Sequence, residues 1–313
     1  MPLVSVLIPT YNGERFLAAA LDSALAQTHR ELEVLVGDDC STDGTRALAD
    51  AYAARDPRVR VLPPLGANVG APQNQVRLHE AALGPFVKPL LQDDLLAADC
   101  VATLLAPLLA DERTVLATSK RRLIDAAGDA LPDQPWTAAL TQADAVLDGT
   151  SLGDAMLGGT ANLVGEVTTA LYRAGVVAPA DLWHLGGREY RANGDIALWL
   201  KLLTGRQAFY CPRELSAFRQ HAAQSSQSER VIVAGCIEWA TLGLAARELG
   251  YLAAPGQELA ALVRAAQVAG GGLQAATGHP DLLDELTTSL RPLLQRAGAL
   301  QAAPPAAPAP AAR

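Results

Sequence analysis

Short apolar runs alternate with helical spacing through the first third of the chain. Residues 3–8 form a compact β-rich run that Pro9 breaks. From Glu14 the apolar positions Leu17, Ala20, Leu21, Ala24 and Leu25 recur at helical spacing, which predicts one buried face. Further strands are predicted over 33–36, 59–62 and 86–91, with helices over 45–54 and 73–83 between them. This β-α-β-α-β-α-β order predicts an α/β fold with a mostly parallel sheet and helices on both faces. Beyond it the pattern predicts a helix after residue 100, a strand over 114–118 and a short amphipathic helix over 195–203. Residues 213–228 are polar and read as a loop, mobile in part. Residues 229–301 read as helical, with breaks near Gly270-Gly271-Gly272 and at His279-Pro280.

Composition sharpens this picture. Half of the 313 residues are hydrophobic and only 4% are aromatic, so the core should be aliphatic and helix-rich. The length suits a core domain with an appended region. We divide the chain into a sheet domain at 1–228, a helical C-terminal region at 229–301 and an Ala/Pro-rich tail at 302–313, whose composition cannot build a core. The net charge of -8, with no basic run longer than Lys120-Arg121-Arg122, argues against a nucleic-acid partner. The four cysteines form no C-x-x-C pair, which argues against a zinc site. There is no basic head before an apolar segment, and no apolar run reaches the roughly 20 residues of a membrane span. The expectation is a cytoplasmic protein with reduced thiols and at most a peripheral membrane contact.

The polar residues that carry chemistry follow strand ends, where open α/β sheets bind ligands. Tyr11-Asn12, Asp38-Asp39 and Asp93-Asp94 are therefore candidates for one crevice. Two adjacent carboxylates repel, and a divalent cation of the Mn²⁺ or Mg²⁺ type relieves that repulsion. Read alone, Asp93-Asp94 is more readily a solvated turn than a site, and Asp43 or Thr42 is as readily a helix cap. Asp195 opens a helix, where the free N–H groups favour a carboxylate as a cap and also keep it ionised as a proton acceptor. Arg219 and His221, two apart on an extended segment before Gln224, Ser225 and Ser226, point the same way.

In their order along residues 3–228 these segments resemble the family-2 glycosyltransferases of the inverting, GT-A fold type. The segments that carry the resemblance are Val4-Ser5-Val6-Leu7-Ile8-Pro9-Thr10-Tyr11-Asn12, Asp38-Asp39-Cys40-Ser41-Thr42-Asp43-Gly44-Thr45, Lys88-Pro89-Leu90-Leu91-Gln92-Asp93-Asp94, Gly194-Asp195-Ile196-Ala197-Leu198-Trp199 and Leu215-Ser216-Ala217-Phe218-Arg219-Gln220-His221. The resemblance implies a metal-dependent transfer of a sugar, of the hexosyltransferase type, from a nucleotide-sugar to an acceptor hydroxyl. UDP is the nucleotide most common in that family. Polysaccharide or glycoconjugate biosynthesis is the implied setting, with a glycan, lipid-linked or small-molecule acceptor.

It also implies roles. Thr10, Tyr11, Asp39, Arg77 and Asp93 would bind the nucleotide, with Tyr11 stacked on the base. Asp94 and His221 would hold the metal, and Arg219 would contact the diphosphate. Asp195 would be the general base, and Asn162 and Glu166 would lie on the acceptor side. The chain departs from the family pattern at Leu91, where an acidic residue is frequent, which leaves the metal fewer carboxylates, and at Gly194 in place of a frequent Glu, which weakens a supporting contact in the acceptor site. The C-terminal helices offer a face for a second copy of the chain. The competing readings are a nucleotidyltransferase, which would need a Gly-rich basic phosphate loop after the first strand, and a sugar-nucleotide-binding relative without turnover. A dinucleotide oxidoreductase would need G-x-G-x-x-G there, and residues 9–15 have none.

Overall fold

The computed structural model describes residues 1–222, 224 and 228–302. The first elements are β1 (Val4–Thr10), α1 (Leu17–Leu25), β2 (Leu32–Asp38), α2 (Thr45–Arg55), β3 (Val59–Val61), α3 (Ala71–Ala81) and β4 (Phe86–Pro89). There follow β5 (Leu95–Leu96), α4 (Cys100–Ala110), β6 (Thr114–Ile124), β7 (Ala130–Leu131), β8 (Ala145–Asp148), α5 (Gly149–Gly159) and β9 (Leu171–Arg173). The short hairpin of β10 (His184–Leu185) and β11 (Arg188–Glu189) leads into α6 (Gly194–Leu203) and β12 (Gln207–Arg219). Three helices close the chain: α7 (Glu229–Ala246), α8 (Pro255–Ala276) and α9 (Pro280–Ala302).

The main sheet runs β3-β2-β1-β4-β9-β6-β12-β5, with β7 on β6 and β8 on β12. Its first half is parallel, β1 lying between β2 and β4. Antiparallel β9 then joins β4 to β6, and β12 runs parallel to β6. Alternation along the strands splits the core in two. Val6, Ile8, Val34 and Val36 face α1 and α4, while Leu7 and Leu35 face the opposite side with Leu78, Tyr172 and Trp199. Both faces of the parallel half are covered, which explains its near-continuous apolar strands.

The α/β class with helices on both faces is as the sequence predicts. Three local readings are corrected. Residues 213–219 belong to a 13-residue strand, not a loop. Its polar interruption at Arg213 and Glu214 is an exposed irregularity in the pairing of β12 with β6. The three glycines at 270–272 lie inside α8 and do not end it. Gly272 fits because a Cβ there would sit 2.9 Å from the Cβ of Cys236, so glycine lets α7 and α8 approach closely. The third concerns α2, whose N-cap position is Gly44, although Asp43 Oδ1 accepts from Thr45 N at 3.0 Å as a cap would. The readings made for Ser225, Ser226 and residues 303–313 lie outside the described residues.

Helices α7–α9 share their own apolar core, built on Val233, Ile237, Leu262, Leu286 and Leu293. They also dock on the sheet domain. Tyr251 Oη donates to Leu200 O on α6 at 2.7 Å, and Leu252 N donates to Asp154 Oδ1 on α5 at 2.7 Å.

Candidate active site

The ends of β1, β2 and β4 are tied to one another by side chains of their loops. Gln92 Oε1 accepts from Thr10 Oγ1 at 2.5 Å and from Tyr11 N at 2.9 Å. Gly13 lets the loops cross closely: a Cβ there would lie 2.2 Å from Gln92 Oε1 and displace that side chain from its hydrogen bonds. Asn12, in the left-handed region at φ 48°, accepts from Thr42 N at 2.8 Å and donates its own N–H to Ser41 Oγ at 2.9 Å. Asp39 is buried, and its two oxygens accept from Val69 N at 2.7 Å and Gly70 N at 2.9 Å. Arg77 donates to Asn74 Oδ1 at 3.1 Å and to Pro63 O at 2.9 Å. Asn74 in turn donates to Gly37 O at the end of β2. Thr10, Asp39 and Arg77 are thus brought to one strand-end region, with the Tyr11 side chain exposed at its rim.

The neighbouring carboxylates Asp93 and Asp94 point into different surroundings. Asp93 Oδ2 is hydrogen-bonded to His221 Nε2 at 2.9 Å, and both side chains keep some solvent exposure. Asp94 has none. Its Oδ2 accepts from Thr168 Oγ1 at 2.6 Å and its Oδ1 from Arg219 N at 3.0 Å. Burial, with the charges of Asp93 and Glu166 added, pushes the Asp94 carboxyl well above the usual carboxylate range. Both Asp94 oxygens are thus engaged and out of contact with solvent, whereas Asp93 remains partly open.

Arg219 is enclosed in the same way. It is 4% exposed, and its guanidinium donates to Asp93 O at 2.7 Å and Asp125 O at 3.0 Å while lying over the Phe16 ring. It ties the two loops together.

Across the cleft, Asp195 stands in the first turn of α6. Its Oδ1 accepts from Ile196 N at 2.8 Å and its Oδ2 from Asn162 Nδ2 at 2.7 Å. Burial raises its pKa to about 7, opposed by the Ile196 N–H and Arg121 and assisted by the charges of Glu166 and Glu238. Asn162 also donates to Gly165 O at 2.9 Å. Glu166 forms an ion pair with Arg121 at 2.8 Å, and burial raises its pKa. Residues 162–168 therefore bridge the two centres: Asn162 holds Asp195, and Thr168 holds Asp94. Beneath them Lys88, fully buried and with its pKa lowered by that burial, donates to Thr168 O.

Four of these positions carry no recognisable signal in the sequence. Gln92, Arg121 and Thr168 act through contacts far apart along the chain. Glu238 on α7 is the fourth. Its buried carboxylate accepts from Arg191 N at 2.7 Å, Ala192 N at 3.0 Å and Asn193 N at 2.6 Å, the three residues before α6. Only its charge within an apolar helix could have drawn attention to it.

The donor set suits a hard divalent cation that shares its ligands with a substrate. Asp93 and His221 supply one oxygen and one nitrogen, leaving other positions to phosphate oxygens and water. Among the described residues, no three His, Cys, Asp or Glu side chains cluster as a self-sufficient metal site.

Residues 5–154 match the family model described as glycosyl transferase family 2. Chondroitin synthase of Escherichia coli is 35% identical over 130 residues, which is 41% of this chain and 18% of that protein. Glycosyltransferase GlyG of Streptococcus pneumoniae is 32% identical over 102 residues, 33% of this chain and 34% of that protein. The chain thus spans about a fifth to a third of these two relatives. In fold it is similar to S. aureus TarS 1–349 solved with UDP-GlcNAc, at a TM-score of 0.58 and 17% identity, covering 94% of this chain and 92% of that one. It is also similar to the mannosyltransferase PcManGT of Pyrobaculum calidifontis with GDP-Man and Mn²⁺, at 0.54 and 18%, covering 95% and 86%. No helix among the described residues is long and apolar enough to cross a membrane.

Proposed function

Because residues 5–154 form a family-2 glycosyltransferase domain of GT-A fold, we propose that this chain transfers a sugar from a nucleotide-sugar, a UDP-sugar by preference, to an acceptor hydroxyl with inversion. The observation that carries the reading is the bridge over 162–168, which joins a strand-end carboxylate cluster to a second carboxylate, Asp195, raised to about 7.

In this reading Thr10, Tyr11, Asp39 and Arg77 surround the nucleoside, with Tyr11 as the stacking ring. Asp93 and His221 hold Mn²⁺ or Mg²⁺ against the diphosphate. The chemistry such a cation supplies there is neutralisation of the leaving group's charge. Asp195 takes the proton of the acceptor hydroxyl. That oxygen forms its bond to the anomeric carbon as the bond from carbon to diphosphate oxygen breaks, and the electron pair leaves with the nucleoside diphosphate. A carboxylate whose pKa lies near neutrality suits proton abstraction at neutral pH. Asn162 fixes the direction of the carboxylate, and Glu166 stands on the acceptor side. UDP-GlcNAc bound to TarS and Mn²⁺ bound to PcManGT support the choice of donor class and metal.

The test is a thermal-shift panel of UDP, GDP and dTDP and their sugars, each with and without Mn²⁺. A bound nucleotide raises the apparent melting temperature by mass action. UDP ligands are expected to shift it most, and only with metal. If no nucleotide shifts the melt with metal present, the proposal fails.

A further inference from the structure

The chain has four tryptophans, and Trp136 is the most exposed of them, at 49%. It stands on a one-turn helix, Pro135–Thr137, whose start is fixed by a reciprocal cap between Gln134 and Thr137. The ring is held from two sides. The Arg121 guanidinium lies over it at 5.0 Å, and Phe218 meets it edge-on at 6.2 Å between centroids. Arg121 Nη2 also donates to Trp136 O at 3.0 Å.

Both neighbours lead into the cleft. Phe218 precedes Arg219, whose backbone binds Asp94 and whose guanidinium binds Asp93 O. Arg121 is paired with Glu166, whose charge is felt by Asp195. The indole is therefore linked to each carboxylate centre through one neighbour, with about half of its surface open. Glu166, the ion-pair partner of Arg121, has its Oε1 buried with no hydrogen-bond partner among the described residues. Buried carboxylate oxygens without a donor are uncommon and mark a place where a ligand hydroxyl or a water completes the set.

An open aromatic face next to a carboxylate and a guanidinium matches one chemical class. A pyranose ring presents an apolar C–H face and a rim of hydroxyls, so the face stacks on indole while the hydroxyls reach the charged pair. We propose that Trp136 is the platform for the acceptor's pyranose ring, that Arg121 and Glu166 read its hydroxyls, and that the acceptor is accordingly a saccharide. This rests on the reading of Asp195 as the base. Trp136 is thus a specificity-determining residue contributed by the segment between β7 and β8.

The experiment is saturation-transfer NMR on the full chain with UDP and Mg²⁺ present. The probes are the methyl glycosides of glucose, galactose, mannose and N-acetylglucosamine. Transfer to the ring C–H protons of at least one glycoside is expected. It should fall on the order of tenfold in Trp136→Ala and persist in Trp136→Phe, with the UDP signals unchanged. The proposal is overturned if UDP gives transfer and no glycoside does, or if glycoside transfer survives Trp136→Ala. Absence of transfer to UDP itself would remove the glycosyltransferase reading and this proposal with it. Should Trp136→Ala bind a protein partner less well and glycosides equally, the exposed indole is a protein contact and the saccharide assignment fails.

Discussion

The strand-end side of the cleft and the base side are held by different means. On the strand-end side, loops that follow neighbouring strands bind one another: Gln92 to Thr10 and Tyr11, Asn12 to Ser41 and Thr42, Asp39 to Val69 and Gly70. The sheet already brings those loops together, so each bond adds little reach. On the base side, Asp195 depends on Asn162 and on a loop pinned by Glu238, which lies 47 residues from Arg191 along the chain. One side is prepared by sheet topology, the other by a helix that folds back onto it. The first should tolerate loss of a single bond better than the second.

Four substitutions sharpen or break this contrast. The largest effect is expected at Asp195→Asn, with turnover lower by about 10²–10⁴ and UDP affinity unchanged, measured by steady-state kinetics and titration calorimetry. An equal loss of UDP binding would make Asp195 a structural cap. Asp94→Ala is expected to cost about 2–4 kcal/mol in denaturant unfolding, since it strands the Thr168 hydroxyl and the Arg219 N–H in a buried site. Asp93→Ala should leave stability nearly unchanged but weaken UDP binding on the order of tenfold, in the presence of Mn²⁺ only. If Asp94→Ala behaved like Asp93→Ala, the division of roles within the pair would be wrong.

The smallest effect concerns pH. The reactive form of Asp195 is the carboxylate, so kcat/KM should rise with pH and level off above about 7. The stability consequence has the opposite sense. The Asp195 pKa is raised above its ordinary 3.8, so its contribution to stability is full below that value and is lost as pH rises through about 7. Removing the nearby negative charge in Glu238→Gln should move the kinetic limb to lower pH and slow turnover several-fold at its plateau, because a Gln side chain cannot satisfy three consecutive N–H groups. A pH-rate profile with UDP release as readout checks both. An unmoved limb would mean that Glu238 acts on packing alone.

Much of the strand-end side is legible in the sequence. The alternation of β1 and β2 and the helical spacing of α1 fix the parallel half, and the polar residues after those strands announce the crevice. The division between Asp93 and Asp94 is not legible. Both are Asp after the same strand, and only Thr168 and the Arg219 backbone decide which one is buried. Arg219 reads as an exposed cation for the same reason, since its carbonyl partners at Asp93 and Asp125 lie 126 and 94 residues away. Strand β12 was obscured by Pro212, Arg213 and Glu214, whose polarity marks an irregularity in a buried strand. The glycines of α8 mislead in the other direction: at Gly272 close helix–helix contact with Cys236 outweighs weak helix propensity, and Gly270 and Gly271 have no such contact.

The grip of Glu238 on residues 191–193 has a thermodynamic consequence for the whole chain. Ordering that loop and docking α7 are one equilibrium, so whatever strengthens one strengthens the other by the same factor. A ligand that engages Asp195 should protect the amides of α7 from hydrogen exchange, although it touches none of them. Conversely, loosening α7 would loosen the backbone of residues 191–193 that precedes Asp195. The C-terminal helices are in this sense the far arm of a lever whose near arm carries the base.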